Sequence, residues 1–185
     1  MTTRTLAGHT VNPIGLGCMN LSHAYGTPPD ETSALQLLQR AVELGCNHFD
    51  TATLYGFGAN ETLVGKALKP YRKQILLASK CGMGGVNGQR VIDGRPATLK
   101  QQCEASLQRL QTDVIDLYYL HRVDPTRPIE ETVGAMADLV AATRAAPDLT
   151  GFVVRAVGPD GAPGAVLGST AFRDLSLVDR RVEVG

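Results

Sequence analysis

Apolar positions along the chain switch repeatedly between a strand-like and a helix-like period, and each full cycle takes about 30 to 40 residues. A short apolar run at 14–16, closed by Gly17, reads as a strand. After the breaker Gly26-Thr27-Pro28-Pro29, Asp30 is placed to cap a helix. Ala34, Leu37, Leu38, Ala41 and Val42 share a face of that helix, which stops near Gly45. His48-Phe49-Asp50 reads as the second strand. A second helix follows, capped by Asn60, carrying Leu63, Val64, Ala67 and Leu68 and closed by Pro70. Ile75-Leu76-Leu77-Ala78 is apolar without a break, as expected of a strand buried on both faces. A Gly-rich loop spans 82–96; Leu99, Cys103, Leu107 and Leu110 then mark a third helix. Residues 114–120 read as the fourth strand, and Ile129, Val133, Met136, Ala137 and Val140 as the face of a fourth helix.

This alternation predicts an α/β fold of about four βα units, with parallel strands joined by right-handed crossovers. The period by itself fits a barrel or an open doubly wound sheet. No G-x-G-x-x-G follows a strand, so the dinucleotide-binding form of the open sheet has no positive support.

The 185 residues suit one domain, with 18 basic and 18 acidic side chains in balance. That neutrality argues against nucleic acid or an anionic membrane as partner. The apolar run at 117–120 is far too short to cross a bilayer, and the N-terminus lacks the apolar core of a secretory signal. The four cysteines (Cys18, Cys46, Cys81, Cys103) form no C-x-x-C, which suggests reduced thiols in a cytoplasmic protein.

Four polar residues fall at or just beyond the ends of these strands: Asp50, Tyr55, Lys80 and His121. In a parallel barrel the C-terminal strand ends converge on one face, where active sites are built. A free phenol has a pKa of about 10 and is a poor acid at neutral pH. A neighbouring ammonium stabilises the phenolate, and a carboxylate holds that ammonium charged and fixed. A neutral imidazole then orients a carbonyl oxygen by hydrogen bonding. Taken singly, each has an ordinary reading: a solvated lysine, a rim tyrosine, a capping aspartate, a loop histidine. Their joint placement is what argues for a site. His48-x-Asp50 is the sole close pair of metal-ligand type, too little for a metal site. His9 is assigned to an N-terminal turn. His48 is assigned to the helix layer, although two-residue spacing from Asp50 would put both on one side. Tyr118 and Tyr119 read as packing residues.

Asp50-Thr51-Ala52-Thr53-Leu54-Tyr55-Gly56, with Asn60-Glu61 and Gly65 beyond, resembles the D-T-A-x-x-Y-G…N-E-x-x-x-G signature of the aldo-keto reductase family. Ala78-Ser79-Lys80 is similar to its lysine strand, 113–121 to its histidine strand, and 14–19 to its opening strand. The resemblance implies a partial (β/α)8 TIM barrel over residues 1–142 and reduction of aldehydes or ketones by NADPH. It also implies that Tyr55 is general acid, aided by Lys80 and Asp50, while His121 aligns the substrate carbonyl. The main chain of Gly17, Cys18 and Met19, with Asp50, would lie at the nicotinamide ribose, and His23 would lie in a loop that contacts substrate.

The resemblance stops near Thr143, whereas a (β/α)8 barrel takes about 250 residues. From 143 to 185 there is no Ile, Lys, Asn, Gln, Tyr, Cys, His or Met, types that fill 40 of the first 142 positions. The expectation is an atypical tail, disordered or read in a shifted frame, in which 155–158 only faintly echo a fifth strand and 153–157 could form one. Half a barrel would leave its first and fourth strands as open edges. It would also lack the family's main phosphate and adenine contacts, which predicts weak or absent catalysis. A non-catalytic remnant and a smaller α/β domain completed by the tail are the alternatives.

Overall fold

The computed structural model describes residues 3–23, 25–144, 153–157 and 163–169. The chain opens with an antiparallel hairpin of β1 (Arg4–Leu6) and β2 (His9–Val11). Its two-residue turn has positive φ at both Ala7 (49°) and Gly8 (80°), the hairpin turn whose twist matches that of the strands. His9 is therefore the first residue of a strand and not part of a turn.

The parallel units follow. β3 (Leu16–Gly17) leads to α1 (Glu31–Glu43), capped by Asp30, whose carboxylate accepts the Ser33 N–H at 3.0 Å. Ala34 and Leu38 form its buried stripe, while Leu37 stays exposed at the margin. β4 (His48–Asp50) runs into a tight 3-10 turn at Tyr55–Gly58 and then α2 (Ala59–Leu68). Gly58, at φ 97°, occupies the cap position predicted for Asn60, which lies within the first turn with its side chain fully buried. After β5 (Leu76–Cys81) come β6 (Met83–Val86) and β7 (Gln89–Ile92), an antiparallel hairpin where a Gly-rich loop was expected. Asn87-Gly88 is the same kind of turn as Ala7-Gly8. Pro96 starts α3 (Pro96–Leu110), and β8 (Leu117–Leu120) and α4 (Ile129–Arg144) complete the fourth unit.

Beyond residue 144 the described residues form β9 (Val153–Val157) and β10 (Pro163–Ser169); the other tail residues lie outside the described set. The main sheet has the order β10-β9-β8-β5-β4-β3. β3, β4, β5, β8 and β9 are parallel, and β10 turns back antiparallel to β9. β9 thus covers the edge of the fourth strand that was expected to be open, whereas β3 remains an edge.

Helices α1 to α4 pack each against the next in chain order, α1 on α2, α2 on α3 and α3 on α4. A doubly wound sheet would divide its helices between two faces; this winding has the sense of a barrel wall. Side chains alternate across the strands accordingly. Phe49, Leu77, Cys81, Tyr118 and Leu120 pack with Leu38, Val64, Leu99 and Met136 in the layer beneath the helices. Leu76, Ala78 and Leu117 face the other way and meet Val11 of the hairpin, with Leu6 and Tyr119 against them. The hairpin β1–β2 therefore sits under the strand N-termini, at the end of the sheet opposite the polar residues. Each large side chain buried in these layers contributes about 1.5–3 kcal/mol.

Two ionic ties bind the layers. Glu61 of α2 is fully buried, accepts the Ser79 hydroxyl at 2.5 Å, and pairs with Arg109 of α3 through Nε (2.7 Å) and Nη2 (2.6 Å). Arg72 pairs with Asp116 at 2.7 Å, and the same carboxylate oxygen accepts the Leu77 N–H at 2.7 Å. Close approach of α2 to α3 requires Gly65, since a Cβ there would stand 2.4 Å from the Arg109 carbonyl oxygen.

Candidate active site

Parallel pairing sets the heights of the polar residues. Gly17 lies opposite Asp50, Asp50 opposite Ala78, and Lys80 opposite Tyr119. With Phe49 turned to the helices, Asp50 projects to the inner side, as do Lys80 two residues above Ala78 and His121 just beyond β8. His48 shares the side of Asp50, contrary to the assignment to the helix layer. Its ring crowds Gly15, where a Cβ would meet Nδ1 at 2.6 Å, and its buried Nε2 has no hydrogen-bond partner among the described residues.

All three N–H donors of Lys80 are used. Nζ donates to Asp50 Oδ1 in a very short contact, to the Thr51 carbonyl oxygen at 2.9 Å and to Tyr55 Oη at 3.1 Å. Burial alone would depress this lysine, but the Asp50 charge and the Tyr55 oxygen outweigh it and raise the pKa above its ordinary value, so the ammonium persists at neutral pH. Tyr55 is 9% exposed and packs with Ala52 and Leu54, with Met19 and Met83 against them. Its ring meets that of His121 edge-on, centroids 5.7 Å apart, and lies 6.2 Å from the stacked His23 ring.

Burial, reinforced by the charges of Lys80, Arg122 and Arg90, pushes the His121 imidazole down to about 3. It is neutral at physiological pH, and its buried Nδ1 has no partner among the described residues. A neutral ring beside a phenol and an ammonium can donate one N–H hydrogen bond to a bound carbonyl oxygen, or accept one from a hydroxyl.

The 14–19 segment is held from beneath. The Cys18 N–H donates to the Asp50 carbonyl at 2.8 Å, and Asn60 Nδ2 donates to the Cys18 carbonyl at 2.8 Å and to Ser22 Oγ at 3.1 Å. Asn60 Oδ1 accepts the Thr51 hydroxyl at 2.6 Å. Asn60 thus ties the first loop to the residue whose carbonyl holds Lys80, a role that reading it as a helix cap missed. The signal was present in the sequence, because a cap needs no buried neighbour and Asn60-Glu61 falls inside the motif. Above Gly17 a Cβ would meet nothing within 4 Å, so this face is open to a ligand, and Asp50 keeps its second oxygen free of protein partners among the described residues. The open face at Gly17 and the free Asp50 oxygen are the groups here that could hold a polar cofactor. Among the described residues no cluster of three or more His, Cys, Asp or Glu side chains could hold a metal ion, and no helix is long and apolar enough to cross a membrane.

The parallel βα units form a barrel wall with a lysine-bound tyrosine at the C-terminal ends of its strands. The chain belongs to the aldo/keto reductase family, whose profile matches residues 13–144. It is 44% identical over 135 residues to a Glycine max protein named "Probable aldo-keto reductase 1", covering 72% of this chain and 39% of that protein. It is 40% identical over 144 residues to a Schizosaccharomyces pombe aldo-keto reductase whose name specifies NADP(+), covering 76% and 42%. Among solved structures it resembles the holo form of an aldo-keto reductase from Bacillus halodurans, with TM-score 0.70 and 37% identity over 85% of this chain and 51% of that one. A Klebsiella pneumoniae aldo/keto reductase in complex with NADP and acetate matches at TM-score 0.61 and 30% identity, covering 78% and 46%. The chain therefore spans about two-fifths of the length of these curated relatives.

Proposed function

We propose that the chain carries the proton-donating half of an NADPH-dependent reductase that converts aldehydes or ketones to alcohols. The observation that carries this reading is the triple engagement of Lys80 Nζ by Asp50, the Thr51 carbonyl and Tyr55 Oη. Tyr55 is general acid: its proton passes to the carbonyl oxygen as that oxygen gains charge. Lys80 stabilises the phenolate left behind, and Asp50 keeps Lys80 charged and aimed. His121, held neutral and edge-on to the Tyr55 ring, orients the carbonyl oxygen toward Tyr55. Gly17, Cys18 and Met19, with Asp50, would hold the nicotinamide ribose, and the cofactor when bound supplies hydride to the carbonyl carbon. Met19 and Met83 pack against the cluster that holds the Tyr55 ring. Four free thiols suit a reducing, cytoplasmic setting.

A second reading is a non-catalytic chain: the groups that face a cofactor from the described residues are the open main chain at Gly17 and one oxygen of Asp50, which could hold a sugar too weakly for turnover. Residues 143–185 would then be an atypical tail on an N-terminal half-barrel of residues 1–142, weakly active at best. Titration of NADPH with the full chain, followed by nucleotide fluorescence and then by aldehyde-dependent NADPH consumption, separates the two. Micromolar binding with turnover supports the reductase; absence of both supports the non-catalytic reading.

A further inference from the structure

Two guanidinium groups near His121 are not used by the proton-donating chemistry. Arg90 projects from the β6–β7 hairpin, and its Nη2 lies 3.2 Å from His23 Nε2, while the His23 ring stacks beside Tyr55. Arg122 follows His121 directly and donates from Nη1 to the His121 carbonyl at 3.0 Å. Among the described residues neither has a carboxylate within 4 Å, whereas Arg40, Arg72, Arg95, Arg109 and Arg127 are all paired; Arg4, likewise without a carboxylate, lies on the β1–β2 hairpin at the far end of the sheet. Asp50, the carboxylate of this cluster, pairs with Lys80 through Oδ1 and with neither arginine. The hairpin itself is seated: the Phe57 ring covers Gly85, where a Cβ would come within 2.1 Å of it. Both cations act on the same imidazole, since each helps to hold His121 neutral.

Resting on the reading above, we propose that the site selects carbonyl compounds that also carry an anionic group, a carboxylate in the first instance, bound by Arg90 and Arg122. Planar guanidinium groups bind carboxylates by charge-assisted, paired hydrogen bonds, and two of them unpaired beside a proton donor form a recognition element. The substrate's carbonyl would lie between Tyr55 and His121 with its acid group toward the hairpin.

The test compares benzaldehyde with 4-carboxybenzaldehyde on the full chain. Binding is read by NMR shifts of the His23 and His121 ring protons, and turnover by NADPH consumption. The carboxylated aldehyde is expected to bind about tenfold tighter or more. That ratio should fall toward one in Arg90→Met and Arg122→Met and recover in part in Arg90→Lys. Equal binding of the two aldehydes by the native chain would overturn the proposal, and so would an unchanged ratio in both Met variants. Loss of the preference on saturation with NADP+ would overturn it too, assigning the guanidiniums to nucleotide phosphates. A binding preference without turnover of either aldehyde would leave this inference standing and sink the reductase reading.

Discussion

Replacing Arg109 by Met should destabilise the fold far more than its place on the outer helix layer suggests. Glu61 beneath it is wholly buried and has three polar contacts: the Ser79 hydroxyl at 2.5 Å and Arg109 at 2.7 and 2.6 Å. The substitution removes both charged contacts and leaves a buried carboxylate with one hydroxyl. Breaking a buried ion pair from one side costs about 3–5 kcal/mol, because the remaining charge is left uncompensated. Arg109 is 26% exposed, so water can partly replace it and the low end applies, about 3 kcal/mol. For a chain of this length that corresponds to a fall in Tm of roughly 6–12 °C. Guanidinium unfolding followed by far-ultraviolet circular dichroism measures it. In the double variant with Glu61→Gln, the uncharged amide should recover much of the loss. If Arg109→Met unfolded within about 0.5 kcal/mol of the native chain, the claim that this pair ties α2, α3 and β5 together would be wrong.

Two glycines in helices should respond in opposite ways. Gly65→Ala pushes a Cβ into the α3 backbone and should cost about 1–3 kcal/mol, despite the better helix propensity of alanine. Gly134→Ala on α4 meets nothing within 4 Å and should stabilise by about 0.5–1 kcal/mol in the same unfolding assay. His121 should show no titration by NMR between about pH 5 and 8. Its folded value, about 3, lies below the unfolded value of about 6.5, so the unfolded chain binds the extra proton between them. Stability should therefore fall as pH drops through that window, and His121→Gln should lose less over it. Lys80→Met removes the cation shared by Asp50 and Tyr55 and should lower turnover about 100-fold or more at saturating aldehyde.

Legibility from the sequence followed how local the determining physics was. The four βα units could be read because their strands and helices bury long apolar runs with clear periods, as at Leu76 and Leu77. Asp30 was legible as a cap because the requirement is satisfied three residues away, at Ser33. Both hairpins were missed although Asn87-Gly88 marks a two-residue turn, because their strands are short and β7 is exposed throughout, so neither bears an apolar alternation. Asn60 was misread because its partners, Cys18, Ser22 and Thr51, are distant in sequence for the first two and reached only through folding. Barrel and doubly wound sheets differ in which face each crossover takes, a choice that periodicity does not encode; the helix order α1 to α4 around one face decides it. The tyrosine, lysine and aspartate were legible as a set from their joint placement at or just past strand ends and from their motif, and the heights of Asp50 and Lys80 follow from the parallel register of β4 and β5.

Removal of a single oxygen atom tests the functional account most directly. Tyr55→Phe keeps the ring that packs on Ala52 and Leu54 and deletes only the hydroxyl held by Lys80. If the full chain reduces aldehydes with NADPH, this variant should bind the nucleotide as the native chain does while its turnover falls about 100- to 10,000-fold. Turnover undiminished in Tyr55→Phe would contradict the assignment of the proton to this phenol.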